Sequence, residues 1–446
     1  MTLRPPRPGT LLLVGAVDAH VRKAKDLGLR VVLVQHPTKT TPLQQELADV
    51  HVLADYTDFG VLAPLVDEHR AAWGFDAVLS LTEAGVENAA RLNDRYGLGG
   101  TGHAVIARIR DKLAMRRHLA ALDPAAVAAE PLRARADLTA FGDRHGYPFI
   151  VKPTNATASF GVFRVDSAAD ADRVWQEVAA LRGRTTDRGT TLFTIGDFLM
   201  EEYIDGPEFS VESFSFGGRH VVVAVTEKFV DPATFTEVGH AVPARLPEDV
   251  VERVRACVVR FLDAVGVADG TCHTEVRIGA RGPAVVESHH RAGGDAIPDL
   301  VRGAYGIDLV TLALGWPFGL VEEVPDRPAP RAGASTRFLV GDPGTVVSVA
   351  GVEAARAAAG VLTVRITARP GAPVRALQDN WDRLGLVAVT AADADAAIAR
   401  GAEVIEEHLR ITVRTADGTP ATARVAPVSA GAAARPAAGA RAEAVA

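Results

Sequence analysis

Cysteine is scarce in this chain, and its scarcity sets the first boundary. Two cysteines, Cys257 and Cys272, among 446 residues cannot build a disulfide framework. Cys257 falls on the apolar face of a helical pattern and reads as a core thiol. No apolar run reaches the about 20 residues that a membrane span needs. Long basic runs are also missing and the formal net charge is −7, so nucleic acid is not an expected partner. The opening MTLRPPRPGT is basic, but LLLVGAV after it is too short for a signal-peptide core and runs straight into a helical pattern. A cytoplasmic protein with no membrane partner is the expectation. Aromatics make up only 6% while Ala, Arg and Val are heavily used, a bias that speaks of genome composition more than function. Two nucleotide motifs are absent as well. The first βα turn carries Gly15 without the rest of G-x-G-x-x-G, which argues against a nicotinamide cofactor, and the P-loop spacing G-x-x-x-x-G-K-[ST] is not found. No repeat of fixed period is apparent.

What remains suits a multidomain enzyme. At 446 residues, 48% of them hydrophobic and 23% charged, the chain exceeds a single compact core and predicts two to four domains. Short β-branched runs at 11–16, 30–35, 50–54 and 76–81 alternate with helical patterns that include 17–27 and 61–72. That alternation predicts βαβ units on a parallel sheet over residues 1–105. From Asp111 the character changes. DKLAMRRHLAAL reads as a helix, and strands follow at 148–153 (PFIVKP), at VFRV and at 198–204 (FLMEEYI). This mixed α/β and α+β pattern predicts a second domain over 106–330, with a lid at about 115–205. Residues 249–265 carry an amphipathic helical stripe. The Pro-rich PDRPAPRAGAS (325–335) marks a boundary, and a small unit over 331–412 holds short strands and one helix. The segment 413–446 is expected to be a largely disordered tail, most clearly the Ala/Gly/Pro-rich stretch from about 429.

The segment TCHTEVRIGARGPAVVESHHR (271–291) carries the most chemistry. It reads as two strands joined by a turn near Gly282, with Glu275 on one and Glu287 on the other. Residues of equal pleat phase face one side, so both carboxylates can enter one site. Carboxylates share a site only when a cation holds them there, and hard oxygen donors beside phosphate suggest Mg²⁺. A solvated hairpin with scattered charges is the competing reading. Arg291 follows four residues after Glu287. Lys112 opens a helix. Lys152 ends an apolar strand, where an unpaired ammonium would be costly, just before the small-residue loop TNATASFG. In that loop Ser159 and Gly161 let backbone N–H groups approach an anion. Singly, each lysine reads as a snorkelling surface residue and the loop as a plain turn. In EEYIDGPEF (201–209) the exposed backbone of Glu201, Glu202, Tyr203 and Ile204 could read an adenine edge, and Glu208 could accept from a ribose diol; an acidic strand end at the surface is the alternative.

Taken in order, these motifs resemble the ATP-grasp superfamily, over about residues 10–412. HTEVRI and FTEVGHAVPARLP resemble its carboxylate–amine ligases, the L-amino-acid (dipeptide) ligases, in particular. The resemblance implies an ATP-grasp fold with an N-terminal parallel-sheet domain and a small C-terminal domain. It implies that Lys112 and Lys152 bind the α- and β-phosphates, that Glu201, Glu202, Tyr203, Ile204 and Glu208 hold adenosine, and that Glu275 and Glu287 coordinate Mg²⁺, with Mn²⁺ the alternative. Arg291 would steady an acyl phosphate and its transferring phosphoryl group, and His240 would sit at the substrate pocket. The chain departs from the usual Glu-x-Asn-x-Arg, having Glu287-Ser-His289-His-Arg291, and it places Ala156 and Ala158 where relatives often have Gly. His240, His289 and His290 are candidates to take a proton from an amine near neutral pH.

Gly293 and Gly294 allow a sharp turn after Arg291. Asp295 is then expected to cap the helix 296–304, with an aim into the substrate pocket as the alternative. The activity implied is ATP-dependent joining of an amino acid's carboxylate to an amine through an acyl phosphate, releasing ADP and phosphate. The alternative is a biotin-carboxylase-like or purine-pathway enzyme that activates bicarbonate or another small acid. The partners implied are small amino-acid or carboxylate substrates and a second copy of the chain as a homodimer.

Overall fold

Parallel pairing begins at the N-terminus, where continuous apolar runs alternate with helices. Thr10–Val14, Arg30–Gln35, Val50–Leu53 and Ala77–Leu79 form a four-stranded parallel sheet. Leu11, Leu12 and Leu13 are all fully buried. Helices cover both faces of such a sheet, which is why the run is unbroken rather than alternating. The crossover helix Phe59–Trp73 is capped by Asp58, whose side chain accepts from Gly60 N at 2.7 Å. The loop 80–85 leaves the carboxyl end of Ala77–Leu79, the edge where open α/β sheets present functional side chains. The computed structural model describes residues 9–186 and 192–428.

A small antiparallel sheet follows the helix Lys112–Leu122. Its order is Ala129–Leu132, Phe198–Glu202, Phe149–Pro153, Phe163–Val165. It packs on the helices Arg135–His145 and Ala171–Leu181 through Leu138, Phe141, Phe149, Val174, Val178 and Phe198. This is the region expected to form a lid.

The third sheet has nine strands and is antiparallel. It runs from Gly282–His289 through Gly270–Gly279, Glu208–Phe216, Arg219–Val230 and Glu237–Val242 to Gly333–Val340, Gly385–Ala391 and Val361–Ile366, with Arg424–Val425 beside Gly333–Val340. The amphipathic helix is Glu248–Val265, and it packs Val254, Val258, Phe261 and Leu262 against one face of this sheet.

Two sequence expectations need correcting. The boundary at 330/331 is crossed by the sheet, because Gly333–Val340 pairs with Glu237–Val242 on one side and with Gly385–Ala391 on the other. The Pro-rich stretch before it is a connection, not the end of a core. The stretch expected to be disordered from 413 is paired and packed as far as Ala426. Arg410–Thr415 pairs with Gly344–Ala350 and with Pro420–Thr422, and Ala426 is fully buried with its N–H donating to Phe338 O at 2.8 Å. Residues 429–446, the core of that expectation, lie outside the described residues.

Gly333 lies at this seam. A Cβ there would meet the Asp393 carbonyl carbon at 1.9 Å and the Ala394 nitrogen at 2.3 Å, where Asp393 caps the helix Ala394–His408. Both are backbone atoms and cannot rotate away. Gly333→Ala is expected to cost about 1–3 kcal/mol, read as a lower midpoint in urea denaturation; an unchanged midpoint would show that the helix start yields freely.

Candidate active site

The site forms where the lid sheet faces the nine-stranded sheet. Glu275 and Glu287 are direct partners across the hairpin, with a bulge one residue further on. Pairing of this kind brings two carboxylates onto one face, as their spacing predicts. Each is held by cations. Glu287 Oε2 lies 2.9 Å from Lys112 Nζ, and its Oε1 lies 3.1 Å from His289 Nε2. Burial would raise the Glu287 carboxyl, but Lys112 and His289 outweigh it and hold the group well below the usual carboxylate range.

Glu275 meets a cation that sequence reading missed. Lys228 Nζ lies 2.7 Å from Glu275, 2.8 Å from Glu208 and 2.6 Å from Glu237. Its side chain is 1% exposed. Burial alone would lower the Lys228 ammonium; the three carboxylates reverse that and raise it well above its usual value. Glu275 also lies 3.5 Å from His273 Nε2. His273 is buried, which lowers an imidazole, yet Glu212 at 2.9 Å and then Glu275 push it up to about 9.

The small-residue loop closes over this floor. Lys112 ties itself to the loop, donating from Nζ to Ala156 O at 2.7 Å and from its backbone to Thr154 O at 3.1 Å. Ser159 Oγ donates to Phe235 O at 3.0 Å. Gly161 has a left-handed backbone (φ +71°) and turns the chain over Pro153 and Leu181. Lys152 sits diagonal to Glu201 across paired strands, Nζ to Oε1 2.5 Å. Arg116 Nε donates to the other Glu201 oxygen at 2.9 Å and its two terminal nitrogens donate to the carbonyls of Val285 and Val286. The Glu201 side chain thus anchors Lys152 and Arg116, whereas the resemblance gave it to adenosine. Glu202 points outward to Arg281 at 2.5 Å. A cavity of about 100 Å³ lies between loop and floor. Lys112, Lys152, Ser159, Glu201, Tyr203, Ile204, Glu208, Glu275 and Glu287 all border it, with Ile150 and Val286 as apolar walls. Mono-cationic groups on both flanks keep Glu275 and Glu287 ionised, and two hard carboxylates side by side suit Mg²⁺.

Beyond the hairpin lies a second group of residues. Glu83, from the loop after Ala77–Leu79, accepts from Arg291 Nε at 2.7 Å, lies 2.9 Å from His289 Nδ1 and accepts from Arg110 Nε at 3.2 Å. Sequence reading did not single it out, although its place at a strand's carboxyl end was a usable signal. His240 is fully buried and neither ring nitrogen makes an aligned hydrogen bond, but Nε2 lies 3.3 Å from Glu237 and 3.6 Å from Asp295. Burial would lower this imidazole; Asp295 and Glu237 outweigh it and leave it raised.

Asp295 does not cap the following helix. That helix is Ile297–Tyr305, its cap is Ala296, and no side chain fills the cap. Both Asp295 and Ala296 have left-handed backbone (φ +53° and +66°), and the turn aims the Asp295 carboxylate at Arg383 instead, with bonds of 2.8 and 2.9 Å. Gly293 packs against His273, whose Nδ1 would lie 2.8 Å from a Cβ there. His290 leaves the site. It follows His289 in an extended chain, so it faces the other way, donating from Nε2 to Asp269 O at 2.7 Å and lining a separate cavity of about 340 Å³ with Asn93 and Trp316.

This fold, with a lid sheet set over a cation–carboxylate floor, has the ATP-grasp architecture. Family models agree along the chain: ATP-grasp N-terminal domain at residues 21–100, ATP-grasp domain at 145–299 and L-amino acid ligase C-terminal domain 2 at 337–414. Together these matches show ATP-grasp domains along the chain. It is similar to alanine–anticapsin ligase of Bacillus subtilis (26% identical, covering 57% of this chain and 56% of that protein) and to carnosine synthase 1 of Gallus gallus (30% identical, 42% and 20%). It also resembles an uncharacterized Sinorhizobium fredii protein, y4rH (28%, 77% and 71%). The chain therefore spans about half of the anticapsin ligase and a fifth of the carnosine synthase. Among solved structures, an L-amino acid ligase from Bacillus licheniformis matches with a TM-score of 0.78 at 22% identity, over 92% of this chain and 99% of that one. A biotin carboxylase from Campylobacter jejuni matches at 0.67 and 16%, over 94% and 93%. Likeness at these identities speaks for the fold. No described helix is long and apolar enough to cross a membrane.

The Arg116–Glu201–Lys152 triad yields a stability test. Arg116→Met removes one partner of a buried charge and is expected to cost about 3–5 kcal/mol of folding stability. Chemical denaturation measures it; a cost below about 1 kcal/mol would place the triad among solvated pairs.

Proposed function

We propose that this protein joins the carboxylate of an amino acid to an amine through an acyl phosphate, with ATP converted to ADP and phosphate. The observation that carries this reading is the direct register of Glu275 and Glu287 on the floor of a cavity whose roof holds Lys112 and Lys152.

ATP enters between lid and sheet. Its adenine packs between Ile150, Val286, Tyr203 and Ile204, with Glu208 placed for the ribose and Lys112 and Lys152 for the phosphates. Glu275 and Glu287 would hold Mg²⁺, which would supply Lewis-acid neutralisation of charge on the transferring phosphoryl group. A substrate carboxylate oxygen attacks the γ-phosphorus in line. The bond from that phosphorus to the bridging oxygen breaks, ADP leaves, and Arg291, held by Glu83, balances charge on the transferred group. The amine nitrogen then attacks the acyl carbon, phosphate departs with the bonding pair, and the surplus amine proton passes to a base. We assign that base to His240, whose Nε2 lies 3.3 Å from Glu237 and 3.6 Å from Asp295, carboxylates that favour the imidazolium product. The Ala/Ser/Gly loop keeps water from the acyl phosphate. The alanine and anticapsin of one relative's name, and the carnosine of another's, point to amino-acid substrates; neither fixes the pair used here.

Mixing the protein with ATP, Mg²⁺ and a panel of amino-acid pairs is expected to release ADP and phosphate with a new amide detectable by mass spectrometry. Turnover that required bicarbonate, with no amide formed, would overturn the reading. Glu287→Gln is expected to lower turnover about 10²–10³-fold with the fold intact by circular dichroism, and near-normal turnover would remove Glu287 from the metal role. Lys152→Ala loses a charge-assisted phosphate contact of about 1.5–3 kcal/mol, so calorimetry should show ATP binding weakened about ten- to a hundredfold. Unchanged affinity would make Lys152 a partner of Glu201 only.

A further inference from the structure

Among the described residues, five other than glycine have left-handed backbone: Ala158, Ser159, Phe235, Asp295 and Ala296. All five surround the active site. Each such conformation costs about 1–3 kcal/mol and persists only where its surroundings over-determine it. They fall in three stretches, and one short segment of the C-terminal unit reaches all three. This is the turn Asp379–Arg383, built on the single helical turn Asn380–Asp382 and capped by Asp379, which accepts from Trp381 N at 2.8 Å.

The contacts are specific. The Trp381 ring packs on Phe160 with centres 5.4 Å apart, directly after Ala158 and Ser159. Asn380 Oδ1 accepts from Glu237 N at 2.9 Å, and Arg383 Nη1 donates to Glu237 O at 3.2 Å, so both backbone groups of Glu237 are gripped just beyond Phe235. The same guanidinium forks onto the Asp295 carboxylate, donates from Nε to Asn380 O at 2.7 Å and lies 3.9 Å over the Phe338 ring. With its donors met by protein, Arg383 is not shaped to take substrate itself. It acts on groups that are. Glu237 and Asp295 flank His240, and Phe160 borders the phosphate cavity.

We infer that Arg383 and Trp381 are positioning residues that hold the phosphate loop and the His240 pocket in one fixed relation. The turn makes phosphoryl transfer conditional on a pocket that is already shaped for the amine and closed to water. This inference rests on the carboxylate–amine ligase reading. Its consequence is coupling. When the relation is lost, water attacks the acyl carbon in place of the amine, the acyl–oxygen bond breaks, and carboxylic acid and phosphate are returned with ADP already spent and no amide made.

The test uses the full chain and an amino-acid pair that supports turnover. ADP and amide are measured together for wild type, Arg383→Ala, Arg383→Lys and Trp381→Ala, with Trp381→Leu as the volume-keeping variant should Trp381→Ala melt early. Wild type should give one ADP per amide. Arg383→Ala and Trp381→Ala should raise that ratio about ten- to a hundredfold, with Arg383→Lys between, since a lysine keeps the charge but not the fork. A merely structural role would lower both products together. A ratio that stayed at one in every folded variant would overturn the inference. A second arm needs no amino acids. MgADP is expected to slow hydrogen exchange over residues 154–161 in wild type and to lose that effect in Trp381→Ala or Trp381→Leu; equal protection would also overturn it. If wild type makes no amide from any pair while the exchange arm behaves as expected, the ligase reading fails and the positioning role of Trp381 stands.

Discussion

One buried ammonium governs the centre of this protein. Lys228 lies within 2.8 Å of Glu208, Glu237 and Glu275, whose oxygens all fall within 4.8 Å of one another. Three carboxylates that close cannot stay ionised without a cation among them. They come from three different strands, and Lys228 comes from a fourth, so the charge balance is also a constraint on register. A slip of one residue in any of these strands would turn its charged side chain to the opposite face and leave a buried charge without a partner. The balance is not even. The crowding of Glu208 against Glu275, added to burial, leaves Glu208 raised, while Glu275 and Glu237 stay lowered. The carboxylate that faces Glu287 is held ionised, the form a divalent cation would need.

Much of this was legible beforehand because it is local. Glu275 and Glu287 are joined by a short hairpin, so their spacing carries their geometry. Lys152 was suspect because a lysine ending a fully apolar strand needs an anion, and Glu201 supplies one. The Phe59–Trp73 helix and the parallel strands followed from period and from turn chemistry. What stayed hidden depends on long-range pairing. Lys228 sits in HVVVAVTEKFV, a run that gives no sign of which strands will flank it. Glu83 is 206 residues from His289 and 208 from Arg291, and only the closure of the N-terminal sheet onto the hairpin joins them. Asp295 was misread for a related reason. Aspartate before a helix is a good cap in isolation, and only the distant Arg383 pulls its carboxylate away.

The His289 substitution takes on a physical sense in this setting. An asparagine in that place would offer one oxygen. Histidine instead spans two carboxylates, with Nδ1 2.9 Å from Glu83 and Nε2 3.1 Å from Glu287. It ties the strand Gly282–His289 to the N-terminal sheet through the same acid that holds Arg291. The N-terminal unit thereby sets the orientation of both side chains from the strand's end, and a shift of that sheet would be felt at the phosphate cavity.

The phosphate cavity is built from the lid and the central sheet, whose contacts are short and mutually saturated. Beyond it stand charged side chains from elsewhere: Glu83 from the N-terminal sheet, Asp295 from the turn after the hairpin, and Arg383 from the C-terminal unit. Each is fixed by directed polar contacts, three on Glu83 and a fork between Asp295 and Arg383, and Arg383 reaches the Lys228 centre through the Glu237 backbone. The C-terminal strands nonetheless continue the central sheet, and Gly333–Val340 pairs with the strand that carries Glu237 and His240. One continuous hydrogen-bonded frame therefore carries Glu237 and His240 on one strand and reaches the C-terminal unit through the next.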